Sequence, residues 1–148
     1  MPKFHILKEG VNETLINATR EKITTYLSEL FEPHELVEID GMYSFSFGTV
    51  TVCIRVVPWH SDDALVSVFS YLADNVTMSP ELSRELLHLN ATIPFGGFGV
   101  SFESVVFTYS LAAANIDFNE FSAAVQTVAY IADEYDEMVK EMGQVTPV

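Results

Sequence analysis

The chain has 148 residues, 49% of them hydrophobic, with a formal net charge of -14 and a pI near 4.4. A chain this long buries roughly two thirds of its unfolded surface as one domain, and 7 Lys and Arg against 21 Asp and Glu exclude nucleic acid and anionic membranes as partners. The lone Cys53 excludes an internal disulfide, and no apolar run near Met1 is long enough for a signal peptide or a membrane span, so the expected compartment is the cytosol.

Asn12 is a plausible cap for a first helix, and Ile16, Ile23, Leu27, Leu30 and Phe31 form its apolar stripe before Pro33 ends it. Glu32 to Glu38 reads as a linker. From Asp40-Gly41 the apolar period changes from helical to alternating. Tyr43, Phe45 and Phe47 alternate with Ser44 and Ser46 on a first strand. Gly48-Thr49 turns the chain into a second, with Val50, Val52, Ile54 and Val56, which Pro58 stops. After the polar turn Trp59 to Asp63, Leu65 to Leu72 is apolar on both faces and reads as a third strand inside the sheet. Ser79 and Pro80 open a second helix, whose buried face is Leu82, Leu86, Leu89 and Ile93, and Pro94 forbids its continuation. Phe98, Val100 and Phe102 alternate along a fourth strand. A turn at Glu103-Ser104 returns a fifth, with Val105, Phe107, Tyr109 and Leu111 on its apolar side. The last helix opens on a capping box, Asp117 and Glu120, with Ile116 and Phe121 as hydrophobic staple, and its apolar face runs from Phe118 to Met142. These elements predict one α+β domain over residues 1–148, in the order αβββαββα, with five antiparallel strands and the helices mainly on one face.

No side-chain set in the sequence amounts to a reaction centre. Gly96-Gly97-Phe98-Gly99 follows a helix and opens a strand, the reverse of a phosphate-binding loop, and carries no Lys. Glu81, Glu85 and His88 share a helix face, but a di-metal bundle needs the Glu-x-x-His pattern twice. The run Asp133 to Glu137 lacks a calcium loop and reads as a solvated acidic face. Cys53, among Val and Ile, has no nucleophile signature with His34, His60 or His88. His60, Asp62 and Asp63 form a weak cluster of the kind turns collect. Trp59 and Tyr71 read as structural. The Asn-X-Ser/Thr triplets at Asn12, Asn17, Asn75 and Asn90 have no expected role in a cytosolic protein. No catalytic residue, metal ligand or cofactor site is therefore expected. The apolar rows on the second and last helices exceed what one sheet face covers, which predicts a two-fold homodimer built from leucine and aromatic surface.

Leu86-Leu87-His88-Leu89-Asn90-Ala91-Thr92-Ile93-Pro94-Phe95-Gly96-Gly97-Phe98 resembles the signature region of the YbjN family, and Ala132-Asp133-Glu134-Tyr135-Asp136 resembles that family's closing helix. YbjN proteins are similar in fold to type III secretion chaperones. The resemblance is most specific from about Ser79 to Met142. It implies packing roles for the leucines and Phe95, a helix cap at Asn90 and a turn at the glycines, and none of the matching positions is catalytic. It also implies a chaperone-like scaffold. The expected function is a non-enzymatic module that binds a protein or an extended peptide client, on a surface carrying Phe45, Phe47, Phe98, Phe102 and Phe107. A structural or regulatory subunit for one folded partner is the alternative, and a small-molecule enzyme the remote one.

Overall fold

The computed structural model describes residues 1–143; residues 144–148 of the expected domain lie outside them. The elements are α1 (Glu13–Leu30), β1 (Val37–Ile39), β2 (Met42–Phe47), β3 (Val50–His60), β4 (Asp63–Ala73), α2 (Pro80–Thr92), β5 (Gly97–Ser101), β6 (Ser104–Ala112) and α3 (Phe118–Met142), with a short 3-10 turn at Pro33–Glu35. All three helix starts are capped as the sequence predicts. The side chains of Asn12, Ser79 and Asp117 accept from the amides of Leu15, Leu82 and Glu120.

The sheet is antiparallel throughout, in the order β1-β2-β3-β4-β6-β5, so it has six strands and not the expected five. The additional strand is β1, inside the segment read as a linker. Asp40 and Gly41 take positive φ, 52° and 78°, and fold Val37–Ile39 back on β2, with Val37 opposite Ser44.

Three boundaries also differ from expectation. Pro58 does not stop β3. Beyond Ile54 the strand has no β2 partner, so a residue without an N–H is tolerated, and the register shifts between Pro58 and His60. The β3–β4 turn shortens to Ser61-Asp62, and the β5–β6 turn is Phe102-Glu103, which puts Phe102 at a hairpin tip with φ 56° instead of on the strand. β4 lies inside the sheet as expected.

The core fills the space between one sheet face and the helices. Val52, Ile54, Val66, Val68, Val105 and Phe107 face Ile23, Leu27, Leu82, Phe121, Val125 and Val128, all buried. The broad row of α3, including Ala124, Ala129, Ala132 and Val139, is thus covered within the chain. The excess that motivated the dimer expectation is absent there. Among the described residues no helix covers the opposite sheet face; Phe69 lies on it beneath Arg55, whose guanidinium carbon stands 5.0 Å from the ring centre. Gly96 fits because a Cβ there would sit 2.7 Å from the Phe107 ring.

Two polar side chains have roles other than those expected. Asn90 is no helix cap: its amide accepts from the Phe98 N–H at 2.7 Å and donates to the Phe98 carbonyl at 3.1 Å, pairing with the outer side of β5 as a further strand would. Asn90→Ala leaves both backbone groups without partners and is expected to cost about 1–3 kcal/mol, read as a lower midpoint in urea unfolding. Nor is the acidic run wholly solvated. Asp136 is 1% exposed and accepts from the Thr49 hydroxyl at 2.6 Å, while Asp133 accepts from the Thr49 amide and hydroxyl.

Candidate functional site

A sheet of this order has two outer edges, and they are not equivalent. Asn90 occupies the outward groups of Phe98 on β5. Among the described residues no side chain is bonded in that way along β1, whose outer edge they leave open. Natural edges are guarded by brevity, by charged side chains, by Pro or by a bulge, because unpaired backbone groups recruit another strand, and β1 has the first two, its three-residue length and Glu38. Across Val37-Glu38-Ile39 there is no Lys and no Pro. Val37 and Ile39 are 54% and 63% exposed on the helix-free face, beside Ser44 and Met42.

On the helix side one cleft reaches this edge at Glu38, and a second lies further in, between α1, β2 and α3; the two share Phe31 as a wall. One, of about 320 Å³, is lined by Leu27, Phe31, Leu36, Glu38 and Tyr43. The other, of about 280 Å³, lies between Leu30, Phe31, Phe45, Phe47, Ala129 and Tyr130. Phe31 packs on Phe45 at 4.5 Å and Phe47 on Tyr130 at 5.0 Å between ring centres, so aromatic pairs fix the walls. Tyr130 and Gln126 lead on to a shallower groove of about 720 Å³ along α3, whose lining includes no charged residue. Each smaller cleft has room for one or two large apolar side chains. Glu32 and Glu38 line the first cleft and Glu35 lies with Val37 in a depression on the other side, while Arg20 approaches the Asp40-Gly41 turn.

The five aromatics expected to share one surface do not do so. Phe45 and Phe47 line the α1–α3 cleft, although Phe45 is largely buried. Phe98 lines a separate cleft with Met78, Leu86, Leu87 and Val100, and Phe107 is fully buried beneath it. Phe102 stands alone at its hairpin tip, 100% exposed. The alternation of a strand cannot say which of its faces the helices cover, and that choice buried three of the five. The residues missed are Val37, Ile39 and Phe31. Asp40-Gly41, a strong hairpin signal, pointed to the first two.

Two of the groups considered for chemistry hold turns in place. His60 Nδ1 accepts from the Asp62 amide, and Asp63 Oδ1 accepts from the amides of Ala64, Ala113 and Ala114. Among the described residues no three His, Cys, Asp or Glu side chains gather as a metal site. Burial pushes the Cys53 thiol up, and the nearby Arg55 charge offsets this only in part. Cys53 should therefore react with a chromogenic disulfide severalfold more slowly at pH 7.5 than a free cysteine does; a faster rate would mark it as an activated thiol.

A family model described as T3SS (YopN, CesT) and YbjN peptide-binding chaperone 1, TY-Chap1, matches residues 17–145. No curated protein matches the chain. Among solved structures, a chain in the crystal structure of the ExsC-ExsE complex is similar, with a TM-score of 0.63 and 15% identity over 84% of this chain and 96% of that one. At that identity the likeness speaks for the fold.

Proposed function

We propose that this chain, which belongs to the TY-Chap1 family of type III secretion and YbjN peptide-binding chaperones, is a single-domain, non-enzymatic module that holds an extended segment of a client protein along β1. The supporting observation is the exposed edge strand Val37–Ile39, with one cleft reaching it at Glu38 and an aromatic-walled cleft further in behind Phe31. A client strand draws affinity from backbone hydrogen bonds along β1, while its alternate apolar side chains enter the clefts walled by Phe31, Phe45, Phe47 and Tyr130. Glu32, Glu35 and Glu38 around the strand favour a client segment that carries Lys or Arg. Panning a random dodecapeptide library tests this. Selected peptides are expected to slow hydrogen exchange at Val37–Ile39; an empty selection, or protection confined elsewhere, would overturn the reading.

Self-association belongs to the same reading, on a surface other than α3. Leu87, Phe95 and Val100 are exposed around α2 and β5, an apolar area that a second copy would cover. Light scattering at micromolar concentration should give at least twice 16.5 kDa, and Leu87→Glu should lower that mass. A wild-type monomer at all concentrations would sink the dimer. The cytosol fits this role, and no described helix is long and apolar enough to cross a membrane.

A further inference from the structure

The residues ahead of α1 form an arm with an unusual composition for so acidic a chain. Lys3 and Lys8 are two of its 7 basic residues, and Phe4 and Ile6, each 85% exposed, alternate with Lys3, His5 and Leu7. The arm has the pattern of a strand with a basic side. It is tied down at its far end, where the Ser61 amide donates to the Lys8 carbonyl and Asn12 Nδ2 donates to the Ser61 carbonyl. Beyond Lys8 it extends without a partner strand among the described residues.

Set antiparallel against β1 with His5 opposite Glu38, the arm matches it position by position. Lys3 then faces Asp40, Phe4 faces Ile39, Ile6 faces Val37 and Leu7 faces Leu36. Phe4 and Ile6 extend the exposed apolar side of β1, and the basic residues meet carboxylates. In the parallel alignment Leu7 would face Asp40 and Lys3 would face Leu36, so the charge pattern selects the antiparallel one.

In this antiparallel register the arm cannot reach its own β1. Leu7 is one residue from the anchor at Ser61, and Leu36 lies level with Val52 through the β1–β2–β3 register. Those levels are nine residues of β3 apart, about 30 Å at ~3.3 Å per residue. Only another copy can supply the strand. We infer that the arm of a second copy of this chain adds to the β1 edge, guarding it until a client displaces it. This rests on the reading of β1 as the client site, since arm and client would compete for the same backbone groups.

The test places a photo-crosslinker at the arm in the full chain, Phe4→p-benzoylphenylalanine, and co-refolds equal amounts of light and 15N-labelled protein before irradiation. Mixed-isotope crosslinks joining the arm to residues 36–42 are expected. His5→Glu, which opposes two carboxylates, should lower their yield about fivefold, and adding Glu38→Lys should restore it. Crosslinks only within one copy, crosslinks only to other segments, no crosslink at all, or a yield indifferent to His5→Glu would each overturn the inference. If a panned peptide still protects Val37–Ile39 in that case, the client reading stands and only the arm is excluded from the edge. If neither occupies β1, both fall.

Discussion

Replacing Val37 and Ile39 together by Lys is expected to weaken the binding of a panned peptide by at least about tenfold while leaving the thermal midpoint within about 3 °C of wild type. Both side chains are more than half exposed, so the folded chain loses little contact when they change. A strand docking along β1 would meet two ammonium groups where it needs apolar neighbours, and for a Lys-rich client these would add like-charge repulsion to the lost contact. Fluorescence anisotropy with the selected peptide gives the affinity, and calorimetry gives the midpoint. Unchanged affinity would move the client off the sheet edge and into the clefts alone. A collapsed midpoint would mean that β1 holds the fold together, which its exposure argues against.

What the sequence made legible was set by local signals. Capping residues, prolines and the switch between helical and alternating periods located all three helices and five of the six strands, because those features act within a few residues of where they stand. β1 escaped because three residues are too few for a period, although Asp40-Gly41 marked the hairpin. Site assignment needed tertiary information. Phe45, Phe98 and Phe107 alternate as surface aromatics would, and only the packing of α2 and α3 on that face of the sheet makes them core. The same holds for Asp136, which looks solvated in a run of acids and is buried because the β2–β3 turn lies over it. Asn90 stood in the resemblance as a cap, yet its partner is a strand eight residues away.

That turn carries the other large expected effect. Gly48 has φ 55°, and a Cβ there would stand 2.5 Å from the Asp133 carboxyl carbon. A carboxylate can usually swing aside, but this one accepts both the Thr49 amide at 2.9 Å and the Thr49 hydroxyl at 3.1 Å, and moving it gives up both bonds. The single proton of that hydroxyl is shared with Asp136 at 2.6 Å, whose Oδ1 has no partner among the described residues and whose Oδ2 is 3.4 Å from Lys140 Nζ, so a buried carboxylate is disturbed along with Asp133. Gly48→Ala is therefore expected to cost about 2–4 kcal/mol, roughly 1–2 from the left-handed backbone and the rest from the lost bonds. In the Asp133→Ala background the clash and its hydrogen bonds are already gone, and the same substitution should cost only the backbone share. A double-mutant cycle by urea unfolding measures the difference, with coupling of about 1–2 kcal/mol expected and strict additivity as the contrary result. The clamp also bears on binding: it fixes β2 and its Phe47 against Tyr130 of α3, the two walls of one cleft. Peptide affinity should thus fall in Gly48→Ala at temperatures where the chain is still folded, because the cleft loosens before the core does.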